Sequence, residues 1–243
     1  YVLDRSSGEL LSAEPYVKVS WAERVDRETG RPVETAEGDY GEEPEFIWPS
    51  PLGAHNWQPM SFNPGTGLAY VPVQDLPGAH ALDPHWRHRP GAWNTGTALD
   101  ANLDIPDGWS DMVEARLLAW DPVAQREAWS VPQVSAWNGG TMTTAGNLVF
   151  AGTADGRFVA HRASDGALLW EGVTSVGRVL TFALGGTAQL PPAVPYESTP
   201  PPPLFAVEAS AEELREGGVA YHEWCAVCHG LKAVGGGVVP DLR

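Results

Sequence analysis

Between Leu148 and Ala160 the chain alternates apolar and polar blocks. Leu148-Val149-Phe150-Ala151-Gly152 is apolar, Thr153-Ala154-Asp155-Gly156 has turn character, and Arg157-Phe158-Val159-Ala160 returns to apolar residues. An Asp-Gly turn between two apolar runs is a strong hairpin signal, because Gly reaches the positive φ that a tight turn demands. Two antiparallel strands are predicted here.

The second of those strands opens a unit that occurs elsewhere. Ala160-His161-Arg162-Ala163-Ser164-Asp165-Gly166-Ala167-Leu168-Leu169-Trp170 matches Ala119-Trp120-Asp121-Pro122-Val123-Ala124-Gln125-Arg126-Glu127-Ala128-Trp129. A further copy, Val2 to Ser12, keeps Asp4 and Gly8 but has Ser12 where the Trp falls. Each copy reads as strand, polar turn, strand. The Trp-bearing copies recur at the roughly 40 to 50 residues of a propeller blade, a four-stranded sheet whose recurring Trp packs between neighbours. The fold class expected is therefore all-β, with Trp-containing propeller repeats.

Composition agrees. Eleven Trp, 27 Gly and 22 Pro stand against 19% charged residues, the signature of short strands, tight turns and large aromatic plugs. With 15 Lys and Arg against 31 Asp and Glu, the net charge of -16 repels phosphate backbones, so nucleic acid is excluded as a partner. No apolar stretch is long enough for a membrane span. The cluster Asp39, Glu42, Glu43 and Glu45 reads as a solvated loop rather than a calcium cage.

The pattern changes after residue 190. Pro191, Pro192, Pro195 and Pro200 to Pro203 cannot donate ladder hydrogen bonds and predict an extended linker over 191–208. Ser210-Ala211-Glu212-Glu213 then fits a capping box, and Leu214, Gly218, Tyr221 and Cys225 recur at helical spacing. A helix is expected to carry the chain into Cys225-Ala226-Val227-Cys228-His229.

In Cys-x-x-Cys-His, two thiols add to the two vinyl groups of a haem, and the adjacent His places an imidazole on the iron. The rivals are a thioredoxin-like dithiol, which expects a βαβ context, and a zinc site, which needs about four ligands. The chain has two Cys in all, so no second Cys pair exists for zinc. His222 reads as a solvated side chain. The expected cofactor is a haem c held by Cys225 and Cys228, with His229 as axial iron ligand, in an oxidising compartment.

Gly230 and the run Gly235-Gly236-Gly237-Val238-Val239-Pro240-Asp241-Leu242 resemble the loop after the haem motif in class I c-type cytochromes. That resemblance implies that the Pro240 carbonyl accepts from the axial imidazole. The family's distal Met would lie downstream, whereas Met60, Met112 and Met142 all precede the motif. The stretch 209–243 is read as a truncated α-helical cytochrome c domain.

Further motifs carry a wider resemblance. They are Tyr1-Val2-Leu3-Asp4-Arg5, Gly53-Ala54-His55-Asn56-Trp57, Ser61-Phe62-Asn63-Pro64, Leu117-Leu118-Ala119-Trp120-Asp121-Pro122, Trp137-Asn138-Gly139-Gly140 and Ala151-Gly152-Thr153-Ala154-Asp155-Gly156. Together they resemble the pyrroloquinoline-quinone-dependent quinohaemoprotein alcohol dehydrogenases. The resemblance implies that residues 1–190 are part of an eight-bladed quinoprotein propeller in a periplasmic enzyme. Such an enzyme oxidises a small alcohol and passes electrons through haem to a redox acceptor protein or quinone.

It further implies that Asn56 and Trp57 contact the pyrroloquinoline quinone, Asn56 by its amide and Trp57 by its ring and indole N–H. Trp137-Asn138-Gly139-Gly140 reads instead as a tight lead-in to a Thr-rich strand. The general base and the calcium ligands are expected upstream of Tyr1, so this chain alone is expected not to turn over alcohol. From Glu171 to Gly186 the chain is shorter than the family pattern, which has additional closing strands there. A different reading of the same repeats is a non-enzymatic propeller binding module beside an electron-transfer cytochrome.

Overall fold

The computed structural model describes residues 1–91, 94–98, 112–173, 183, 185–189 and 208–229. Most of the Pro-rich linker and of the shortened segment after Val173, with Pro240 and the glycine loop before it, lies outside the described residues.

The chain begins with two short antiparallel hairpins, β1 (Val2–Leu3) with β2 (Leu10–Ser12) and β3 (Ala22–Val25) with β4 (Pro32–Glu34). Next, β5 (Glu45–Ile47) pairs with β8 (Gly78–His80). Two four-stranded antiparallel sheets follow. The first contains β6 (Ser61–Asn63), β7 (Leu68–Asp75), β9 (Glu114–Asp121) and β10 (Arg126–Pro132), in the order β10-β9-β7-β6. The second runs in chain order through β11 (Thr141–Thr144), β12 (Leu148–Gly152), β13 (Arg157–Arg162) and β14 (Leu168–Val173).

The burial pattern follows from the two faces of each sheet. Along β12, Val149 and Ala151 are buried while Leu148, Phe150 and Gly152 are half-buried, the period of two expected of a sheet with one face inward. Val149, Ala151 and Val159 turn toward Leu68, Tyr70, Leu117, Ala119 and Trp129 of the first sheet, forming the main core. In β7 and β9, Val71, Val73 and Leu118 are also buried on the opposite face, where Tyr16, Val17 and Trp120 cover them. These strands therefore read as continuous apolar runs, with little alternation.

Of the two repeated Trp residues, Trp129 joins one sheet to the next, whereas Trp170 is 42% exposed and meets Phe158 of its own sheet edge-on. The indole of Trp129 donates to the carbonyl of Ala163 at 3.0 Å, and the Tyr70 hydroxyl donates to the same oxygen at 2.8 Å. A Cβ built on Gly166 would lie 2.6 Å from Cε3 of Trp129, and Gly166 has φ +77°. Glycine is required there twice, by the left-handed backbone and by the ring lying on it.

The turn of the repeat is more widespread than the sequence comparison found. At Asp4, Asp26 and Asp121 the carboxylate accepts from the N–H groups two and three residues on. The Asn63 side chain accepts likewise from Gly65 N–H. The turns at Asp26 and Asn63, like the one at Asp4, have no Trp eight residues on. Gln125 occupies the glycine position of its copy with φ 53°.

Helix α1 (Ala211–Trp224) begins at the expected capping box: Glu213 N–H donates to Ser210 Oγ, and Ser210 N–H donates to the Glu213 carboxylate. Cys225 caps its end, and α2 (Ala226–His229) completes the Cys-x-x-Cys-His run.

Candidate functional site

The turn carrying Asn56 and Trp57 is held from below by β7. Gln74, 1% exposed, donates its amide to the carbonyls of Leu52 and Gly53 at 3.1 Å each, and Asn56 Nδ2 donates to the Leu52 carbonyl at 2.8 Å. Gly53 has φ +75°, which turns the chain back toward the sheet. His55 Nδ1 lies 3.0 Å from the Pro72 carbonyl oxygen, and since a carbonyl only accepts, the proton sits on Nδ1. Asn56 is thereby fixed by one amide hydrogen.

Trp57 is 60% exposed, so it is not an inter-sheet plug of the kind Trp129 forms. Its ring meets that of Trp137, with centroids 6.3 Å apart at 33°. Trp137 is delivered by a close crossing of backbones. Gly139 N–H donates to the Gly152 carbonyl at 2.9 Å, and Thr141 N–H to the Pro59 carbonyl at 2.7 Å. A Cβ on Gly140 would strike Pro59 Cδ at 2.4 Å. Asn138, buried, donates to the Ser135 carbonyl and accepts from Ala154 N–H at 3.0 Å.

The two glycines thus mark a tight lead-in to β11, as the sequence suggested. That same crossing sets Trp137 against Trp57, a contact that reading the segment only as a lead-in had missed. Its signal was the pairing of a Trp with two glycines. The side-chain amide oxygen of Gln58, a residue 2% exposed, is buried without a hydrogen-bond partner.

At the other candidate centre the backbone is helical. Cys225 N–H donates to the Tyr221 carbonyl at 2.7 Å, and His229 N–H donates to the Cys225 carbonyl at 2.9 Å. The Cys225 thiol is unpaired and half-buried, and His229 is half-buried. Cys228 lies in α2, and its side chain is outside the described residues. No residue of α1 is fully buried, so the helix that leads to the motif has its apolar side chains, Leu214 and Trp224 among them, largely exposed.

His222 is not the solvated side chain expected. Its Nδ1 donates to the Gly218 carbonyl at 2.8 Å, its ring stands edge-on to Tyr221, and its Nε2 is buried without a partner. One turn of helix separates His222 from that carbonyl, which draws the ring back onto the backbone. The acidic residues Asp39, Glu42, Glu43 and Glu45 are exposed. No group of three or more His, Cys, Asp or Glu that would hold a metal ion occurs among the described residues.

No family model matches the chain. It is 41% identical over 290 aligned residues to the quinohemoprotein alcohol dehydrogenase ADH IIB of Pseudomonas putida, covering 100% of this chain and 41% of that protein. It is 35% identical to the 1-butanol dehydrogenase (cytochrome c) of Thauera butanivorans, again over 100% of this chain and 41% of the relative. Among solved structures, quinohemoprotein alcohol dehydrogenase from Comamonas testosteroni superposes with a TM-score of 0.78 at 36% identity. That match covers 99% of this chain and 41% of that one.

The chain therefore spans about two-fifths of the length of the curated relatives it matches. The mostly antiparallel sheets match their propeller-type quinoprotein fold. By sequence along its whole length and by fold, the chain is similar to part of the quinohaemoprotein alcohol dehydrogenases.

Proposed function

We propose that the chain is part of a periplasmic quinohaemoprotein dehydrogenase that oxidises a small alcohol with pyrroloquinoline quinone and passes the electrons to a covalent haem c. The observation that carries this reading is the match, along the whole of this chain, to a relative whose name joins a quinone, a haem and alcohol oxidation. Residues 1–190 form part of the propeller, 191–208 the linker and 209–243 the start of the cytochrome domain.

The residues present fit these groups. Cys225 offers an unpaired, partly accessible thiol at a helix end, and one turn of continuous helix carries the chain from it to His229. Beside the quinone, Trp57 and Trp137 offer aromatic surface to a planar ring. Asn56 keeps one amide hydrogen and its carbonyl oxygen for a polar rim. The quinone, when bound, supplies the two-electron acceptor. The chain's own residues hold and orient it. The general base and the calcium ligands are assigned to the remainder of the protein, and the final acceptor is a redox protein or quinone.

The full-length protein, produced with a haem maturation system, is expected to give the pyridine haemochrome spectrum of a c-type haem. Cys225→Ala with Cys228→Ala should abolish it. Addition of a primary alcohol should reduce that haem when quinone and calcium are present and not when quinone is withheld. Absence of covalent haem, or reduction that does not depend on the quinone, overturns the reading. Residues 1–243 alone should give no alcohol turnover. A haem-bearing full-length protein with no alcohol-dependent reduction would favour the binding-module reading.

A further inference from the structure

Helix α1 meets the sheet-built body at an ion pair. Nη2 of Arg89 lies 2.9 Å from Oε1 of Glu223 as a charge contact without hydrogen-bond geometry, while Nη1 donates to Oε2 at 3.5 Å from a side chain that is 58% exposed. The Glu223 side chain is 9% exposed, although α1 as a whole has no fully buried residue and an acidic side chain is ordinarily solvated. A carboxylate covered to that degree is costly to leave without its cation.

Arg89 is itself held in place. Its N–H donates to Asn94 Oδ1 at 2.7 Å, and Asn94 Nδ2 donates back to the Arg89 carbonyl at 2.9 Å. One side chain therefore clamps both polar groups of the Arg89 backbone. Behind it, the base of the segment is closed by a bridge between Leu82 and Thr97. Ala98 N–H also donates to the Ala81 carbonyl at 2.9 Å, and Asp83 N–H to the Gly96 carbonyl at 3.0 Å. The segment begins directly after β8, which follows β7, and β7 carries the Gln74 that fixes the turn of Asn56.

We propose that residues 81–91, tied back by 94–98, are the docking site for α1, and that the Arg89–Glu223 pair sets the position of the helix on the body. Glu223 stands two residues before Cys225 and six before His229, within two helical turns of both. Holding it orients the end of the helix where the haem motif starts. The segment then connects, through one continuous stretch of chain, the turn bearing Asn56 and Trp57 to the helix bearing Cys225. This role rests on the proposed function only for the haem, because the contact itself is made by protein groups.

Hydrogen exchange of the full-length, haem-loaded protein, read by mass spectrometry in peptides covering 84–91 and 211–224, tests the docking. Arg89→Ala and Glu223→Gln should each raise exchange in both peptides, by roughly tenfold at the protected amides. The peptide covering 148–162 should stay unchanged in every variant and so report an intact core. The charge swap Arg89→Glu with Glu223→Arg should restore much of the protection, and raised salt should weaken it in the wild type more than in Arg89→Ala.

If neither single variant alters either peptide, or if the swap exchanges as fast as Glu223→Arg alone, the docking role is wrong. A haemochrome spectrum from the same samples reads haem attachment separately. Lost haem with retained mutual protection counts against the quinohaemoprotein reading and leaves the docking standing.

Discussion

The Ala163 carbonyl makes a sharp test of how one sheet is fastened to the next. It lies in the second sheet's turn and accepts from two donors of the first sheet, the Tyr70 hydroxyl and the Trp129 indole. Tyr70→Phe removes one donor while keeping the ring, and should cost about 1 kcal/mol; Trp129→Phe removes the other donor together with part of a buried ring system, and should cost about 2–4 kcal/mol. Either change leaves the carbonyl with one partner. The double variant leaves it buried with none, and an orphaned buried acceptor costs about 1–3 kcal/mol. The double variant should therefore be less stable than the sum of the two singles by about 1 kcal/mol or more, a coupling typical of groups that share a partner. Urea unfolding followed by far-UV circular dichroism, with equal slopes for all four proteins, supplies the numbers. Strict additivity would refute the reasoning, since it would mean that the two donors do not stand in for one another at this oxygen.

Three further outcomes are expected. Gly166→Ala puts a methyl 2.6 Å from the Trp129 ring at φ +77° and should cost about 2–4 kcal/mol in the same unfolding assay. His161 is 5% exposed, and burial holds its pKa below the ordinary 6.5 despite the Gly166 carbonyl that accepts from it. The unfolded chain thus takes up the proton first as pH falls: the stabilisation is complete above about 6.5 and is lost below it. Thermal midpoints for His161→Gln measured from pH 8 to 5 should fall less steeply than wild type on the acid side. Trp57→Ala should leave unfolding within about 0.5 kcal/mol of wild type, because the side chain lies mostly in solvent. It should weaken quinone binding to the full-length protein by about tenfold, read by equilibrium titration.

Local chemistry made much of this protein legible before any coordinates. Asp155-Gly156 specified its hairpin because only a few residue types reach the backbone that a tight turn needs, and β12 and β13 flank it. Ser210 and Glu213 specified the start of α1 because a capping box is settled within four residues. The packing role of Trp129 was legible in the repeat for a similar reason, since its spacing from the turn recurs along the chain. What spacing does not carry is which surfaces come together. That Trp129 ends on Gly166, that Trp57 stands in solvent against Trp137, and that Arg89 reaches Glu223 depend on groups 37 to 134 residues apart. These contacts are decided by how the two sheets, the loop and the helix pack, because burial and close approach are properties of the assembled layers and of no single segment.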